Sequence, residues 1–249
     1  MARQILNPNS TAPNDKLGDT PWDYTGKLNS MTDELYSLNA DSVVLVNQDN
    51  ASTVLASIDS TKEYVIDGIV DLTGLNITID PTSSGMTIGG FGANVSKLIC
   101  SDSNYTMFSS SNCGDFVVQR VTLCVMGSGS FLYGLKSATG FSLYSSEAVI
   151  FRDCSSLGYL DSFFQGLESV TTRQGGSPQL ELRGAWLSGY LIDTSNAFSL
   201  TDGPYTLFKA GAGFEMQSRF RANLGVTLPA SASLCDFSPI NFPNPSTLQ

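Results

Sequence analysis

Beyond Leu38 no helical period persists anywhere in the chain. Short runs of Val, Ile, Leu, Phe and Thr alternate instead with clusters of Gly, Ser, Asn and Asp. The runs fall at 43–46, 64–70, 76–79, 97–100, 116–124, 141–144, 148–151, 179–182, 214–220 and 225–228. Brief β-branched and aromatic stretches closed by turn formers read as strands. Residues 57–60 read as a short helix or turn that feeds the strand at 64.

A second, longer recurrence overlies the first. Apolar pairs open several stretches: Met107-Phe108, Phe131-Leu132, Phe163-Phe164, Leu191-Ile192 and Leu234-Cys235. Each of the first four precedes an alternating strand by one short segment. Recurrence on this scale points to a solenoid, propeller or array. Units of several short strands without a helix fit a parallel β-helix, whose coils turn at Gly, Asn or Ser and stack inward Val, Ile, Leu, Phe and Cys. A jelly roll or Greek-key sandwich offers similar strands without the recurring openings. Gly89-Gly90-Phe91-Gly92 and Gly211-Ala212-Gly213 read as coil corners. Neither leads from a strand into a helix or ends in the Lys-Ser/Thr of a phosphate loop.

The two ends differ from the middle. Residues 7–19 are rich in turn formers. Thr20 can cap a helix that starts at Pro21, with Asp23 near its positive end. Tyr24, Leu28, Met31, Leu35 and Leu38 then repeat at alternating spacings of four and three, a heptad seam. Such a helix can pack on its own domain or on copies of itself. At the other end, Pro239, Pro243 and Pro245 separate Phe237, Ile240 and Phe242. Proline removes ladder donors, so this tail is either a cap over the last coil or an arm that grips another subunit. The divisions expected are 1–40, 41–233 and 234–249.

Composition narrows the chemistry. There is no His, which excludes Ser-His-Asp and Cys-His catalysis and His-ligated metals. With 13 Lys+Arg against 23 Asp+Glu the net charge is −10, so neither nucleic acid nor an anionic membrane is an expected partner. Charged residues are only 14% of the chain, leaving a surface of hydroxyls and amides. Cys100, Cys113, Cys124, Cys154 and Cys235 form no C-x-x-C pair and read as buried hydrophobes. No signal peptide and no membrane-spanning run is expected. No cofactor or metal is expected.

The best enzymatic candidates are carboxylates: Asp153, Asp161 and Glu168, with Glu147 and Asp193 behind them. Two facing one cleft could cut a glycosidic bond. Set among Gly, Ser and Thr, they read as solvated turn residues, and no catalysis is expected. Cys154 and Arg152 are expected to share a strand face with Ile150, at a coil edge. Residues 173–178 read as an exposed loop. Phe131, Tyr133, Tyr159, Phe163, Phe164, Trp186 and Tyr190 can be core or can stack on sugars.

Two regions carry a resemblance. Pro13-Asn14-Asp15, Gly18-Asp19, Lys27-Leu28-Asn29 and Glu34-Leu35-Tyr36 keep the order found in the N-terminal segment of tailed-bacteriophage fibre and appendage proteins. Trp22-Asp23-Tyr24 departs from that pattern where a Leu-Arg pair is common, and Met31 replaces the usual Phe. Residues 42–94, with Val44-Leu45-Val46-Asn47-Gln48-Asp49 and Tyr64-Val65-Ile66-Asp67-Gly68, resemble the opening of phage β-helix structural proteins. The resemblance implies a right-handed parallel β-helix, trimeric, behind an N-terminal loop and helix. Docking to the particle and trimerisation would fall to Pro13, Asn14, Asp15, Gly18, Asp19, Trp22, Tyr24, Leu28, Met31, Leu35, Tyr36 and Leu38. A C-terminal partner would meet Phe237, Ile240 and Phe242. The expected product is a non-enzymatic virion protein, assembled in the host cytoplasm. It would be a fibre, spike or spike base that contacts tail, portal-proximal or capsid proteins and supports a distal fibre or a host-surface glycan. A capsid fibre or a short polysaccharide depolymerase are the alternatives.

Overall fold

The computed structural model describes residues 42–192, 197–199, 205–222 and 232–237. The chain divides between Val44 and Leu45, and the unit beginning at Leu45 is a parallel β-solenoid of about six turns. Three sheets form its walls. The first holds Val43–Val46, Glu63–Ile66, Met86–Gly90, Phe116–Gln119, Leu143–Glu147, Gln165–Ser169, Gly189–Ile192 and Arg219–Ala222. The second holds Ile69–Asp71, Lys97–Cys100, Thr122–Val125, Ile150–Arg152, Thr172–Gln174 and Ala197–Ser199. The third holds Thr106–Cys113, Phe131–Ser137, Gly158–Asp161, Leu180–Arg183, Tyr205–Ala210 and Ala232–Asp236. From Met86 onward the described chain visits first, second and third sheet in turn and then climbs one rung. Before it Val43–Val46 and Glu63–Ile66 both lie in the first sheet and no described strand joins the third. Ala185–Trp186 and Glu215–Met216 pair in a separate two-stranded sheet. Met86 pairs with Phe116 and Leu143 with Gln165, so coils run from about 22 to 30 residues, the size of one solenoid repeat. The expectation of a parallel β-helix holds.

Alternation along each strand sends every second residue inward, and the register stacks those residues into columns. In the first sheet one column reads Met86, Phe116, Tyr144, Gly166, Tyr190, Phe220. Its rings stack: centroids lie 6.4 Å apart for Phe116–Tyr144, 6.3 Å for Tyr144–Tyr190 and 6.0 Å for Tyr190–Phe220. Gly166 makes the middle stack possible, because a Cβ there would stand 2.3 Å from the Tyr190 ring. In the second sheet Val70, Leu98, Leu123 and Phe151 are all fully buried, each worth about 1.5–3 kcal/mol of transfer free energy. The helical turn Ala51–Val54 near the start of the solenoid buries Ala51 and Leu55. The short helix therefore lies before 57–60, and that segment is turn.

The corner between the first and second sheets explains where strand boundaries were missed. Arg120, Ala148 and Val170 occupy the same place in successive coils, each with φ near +53°. Arg120 N–H donates to the Glu147 carbonyl and Ala148 N–H to the Ser169 carbonyl, at 2.9 and 3.0 Å. One left-handed residue ends a strand and starts the next. Arg, Ala and Val are not turn formers, so 116–124 reads as one run where the fold has two, Phe116–Gln119 and Thr122–Val125. Likewise 64–70 divides at Gly68, φ +79°, into Glu63–Ile66 and Ile69–Asp71. The run at 76–79 keeps only an isolated bridge, Ile79 to Phe108. The run at 225–228 lies outside the described residues. The apolar pairs mark rungs but not one fixed place in them. Met107-Phe108, Phe131-Leu132 and Leu234-Cys235 lie in the third sheet, Leu191-Ile192 in the first and Phe163-Phe164 at a corner.

Candidate functional site

The solenoid core holds a charged cluster that its columns dictate. Glu168 follows Ile88, Val118 and Ser146 in one inward column, and Arg173 follows Leu98, Leu123 and Phe151 in another. Both side chains are 1% exposed. Arg173 Nη2 donates to both Glu168 oxygens, at 2.8 and 3.0 Å, and Tyr190 Oη donates to Glu168 Oε1 at 2.7 Å. Arg173 Nη1 donates to the Pro178 carbonyl at 2.9 Å. The guanidinium lies 4.6 Å from the Phe208 ring centroid. Burial first, and the Glu168 charge second, hold the Tyr190 phenol well above its ordinary range. Two expectations are corrected here. Glu168 is not a solvated turn carboxylate, and residues 172–174 are a strand whose Arg173 points inward rather than an exposed loop.

The other acidic candidates lie elsewhere. Asp153 is exposed at a corner between the second and third sheets, with φ +50°. Asp161 ends a third-sheet strand and accepts a 2.7 Å hydrogen bond from Ser162 Oγ. Glu147 is exposed at the end of a first-sheet strand, and Asp193 is outside the described residues. The fold thus puts one member of the expected trio in the core and two outside it. Cys154 and Arg152 do not share a face, because the left-handed turn at Asp153 carries the thiol inside. Arg152 stays on the outer face and donates to Gln174 Oε1 from Nη2 at 2.8 Å. Burial pushes the Cys154 and Cys113 thiols up to about 12 and Cys124 up to about 11, so none is an activated nucleophile. Tyr133, Phe163, Trp186 and Tyr190 are fully buried and belong to the core. Among the described residues no cluster of three or more His, Cys, Asp or Glu is placed to hold a metal ion.

Accessible chemistry gathers on the outer face of the third sheet. A half-open groove of about 190 Å³ lies among Phe131, Ser156, Tyr159, Gln179, Glu181 and Arg183, contributed by three successive coils. The groove's Gly158 has φ +77° and sits so close to the Tyr133 carbonyl that any Cβ would collide with it. Arg183 packs its guanidinium 3.8 Å from the Tyr159 ring centroid and donates from Nε to Glu181 Oε1 at 2.8 Å. That bond to Glu181 raises the guanidinium's affinity for its proton. Ser156 Oγ accepts the Gly158 N–H at 2.9 Å. The Gln179 side-chain amide makes no hydrogen bond among the described residues. Of these groups only Phe131 and Tyr159 stood out in the sequence. Glu181 and Arg183 alternate within one strand, which puts them on one face, but only the length of the preceding coil brings Tyr159 beside them.

The expected docking residues, Pro13 through Leu38, lie outside the described residues, as do Ile240 and Phe242. Phe237 is described. It packs on Phe214 and Phe220 of the same chain, with centroids 5.2 and 5.0 Å away. No family model, curated protein or solved structure matches the chain.

Proposed function

We propose that this chain is a non-enzymatic structural protein of a tailed phage or phage-like particle. Its solenoid, read as right-handed and trimeric, serves as a fibre, spike or spike base. The single observation that carries this reading is the uninterrupted parallel stack. Parallel ladders of backbone hydrogen bonds join successive coils on three sides, around an interior that among the described residues holds stacked aromatic rings and the Glu168–Arg173 ion pair. Such a body resists bending and suits a load-bearing role. The N-terminal sequence pattern supplies the particle. Residues 13–38 dock and trimerise in this reading, and trimerisation multiplies weak contacts at the distal end. The separate placement of Asp153, Asp161 and Glu168 supports a role without hydrolysis.

Electron microscopy of purified particles labelled with antibody to this chain tests the reading. Label at fixed points on the tail is the expected result. Label on the capsid would make the chain a head fibre. Unlabelled particles from cells that make the protein would refute the proposal. Release of reducing sugar from host polysaccharide would favour a depolymerase instead.

A further inference from the structure

We propose that Gly166 and Glu168 form a socket that accepts Tyr190 rather than Phe220 and so fixes which coil stacks on which. Coils of a solenoid are alike, and burial alone does not tell one rung from the next. The first-sheet column offers a similar ring at Phe116, Tyr144, Tyr190 and Phe220. The spacing of the rungs widens toward the C-terminus: 24 positions separate Gln165 from its partner Gly189, and 30 separate Gly189 from Arg219. A skip in which Arg219–Ala222 pairs directly with Gln165–Ser169 would put the Phe220 ring over Gly166 in place of the Tyr190 ring.

Two features of the strand Gln165–Ser169 tell these rings apart. Gly166 leaves the space that a ring needs, because a Cβ there would stand 2.3 Å from two carbons of Tyr190. Glu168 lies two positions along on the same inward face and accepts the Tyr190 hydroxyl at 2.7 Å. Phe220 fits the space and leaves the carboxylate without that donor. Arg173 holds both Glu168 oxygens and donates to the Pro178 carbonyl of its own coil, so the carboxylate is oriented before the next coil arrives. Wall packing does not call for these charges. Val118 and Leu123 fill the places of Glu168 and Arg173 two coils earlier. A buried charged group that specifies register at some cost in stability accounts for both. A lost hydrogen bond to a buried charge discriminates by at least about tenfold.

Disulfide trapping during refolding of the full chain reads the register. Leu167 stands opposite Leu191 in the native pairing and would stand opposite Arg221 after the skip. Leu167→Cys with Leu191→Cys therefore reports the native rung, and Leu167→Cys with Arg221→Cys reports the skipped one. Chains are refolded from urea, oxidised, and scored within the monomer band by mass spectrometry of the joined peptides. With Tyr190 intact the native pair should cross-link and the skipped pair should not. Tyr190→Phe should raise the skipped product at least tenfold. Adding Phe220→Tyr moves the hydroxyl one rung onward and should raise it further. Tyr144→Phe removes a hydroxyl of the same column that bonds Tyr133 instead, and should leave the register unchanged. A weakened fold lowers both cross-links together, whereas lost selection exchanges one for the other. The native cross-link alone in both Tyr190→Phe and its Phe220→Tyr combination would overturn the proposal. So would loss of both cross-links without a gain in skipped product, or an equal gain in Tyr144→Phe.

Discussion

Val170 stands in the left-handed region at φ +53°, where a β-branched side chain meets its own backbone. Arg120 and Ala148 hold the same conformation in earlier coils, so the position is set by the stack rather than by valine. Val170→Asn should therefore raise stability by about 1 kcal/mol, read as a shift in the urea midpoint, because Asn tolerates this conformation. An unchanged midpoint would mean that the strain has been relieved elsewhere. Inside the stack, Glu168→Gln leaves Arg173 charged and fully buried, at a cost of about 3–5 kcal/mol. The double variant Glu168→Leu with Arg173→Met should recover most of that loss. If the double variant is as unstable as the single one, the ion pair is not what makes Glu168 necessary. Neither residue's burial was legible beforehand. A one-residue change in a corner flips the face of the next strand, and the left-handed residues of this fold include Arg, Ala and Val rather than Gly or Asn alone.

At the scale of the coil, periodicity revealed strands and their parallel stacking but not their ends. Third-sheet strands such as Thr106–Cys113 and Gly158–Asp161 carry Ser or Asp on their outer faces, and the second opens on Gly, so they read as turn clusters. The groove was illegible for a related reason. It joins Phe131, Tyr159 and Glu181 across three coils, and the coil lengths vary. Cys100, Cys113, Cys124 and Cys154 were legible as core, whereas Cys235 is only half-buried, and the burial of the core thiols has a consequence for pH. Cys113, Cys124 and Cys154 have ordinary values near 9 when unfolded and values of about 12, 11 and 12 in the fold. The native state then holds more protons than the unfolded state once the pH exceeds 9, so stability falls with rising pH. The contribution is complete below pH 9 and is lost as the pH climbs through 11 to 12. Urea unfolding from pH 8 to 11 should show a falling midpoint, and Cys154→Ala should lessen the slope. A slope unaltered by removal of all three thiols would place the alkaline sensitivity in the buried tyrosines.

For the whole molecule the central claim is that residues 1–37 attach a self-sufficient solenoid to a particle as a trimer. The seam from Tyr24 to Leu38 motivates the oligomer. Sedimentation of the purified chain should give three times the monomer mass, and Met31→Asp should shift it toward monomer by placing a charge in that seam. A wild-type monomer at micromolar concentration would argue against the seam. The most direct measurement is the copy number, in purified particles, of the full chain against a chain lacking residues 1–37. The account predicts full-length protein in a multiple of three and no truncated protein, although the truncated chain keeps the circular dichroism of a folded β-solenoid. Truncated protein present at the full-length copy number would contradict it.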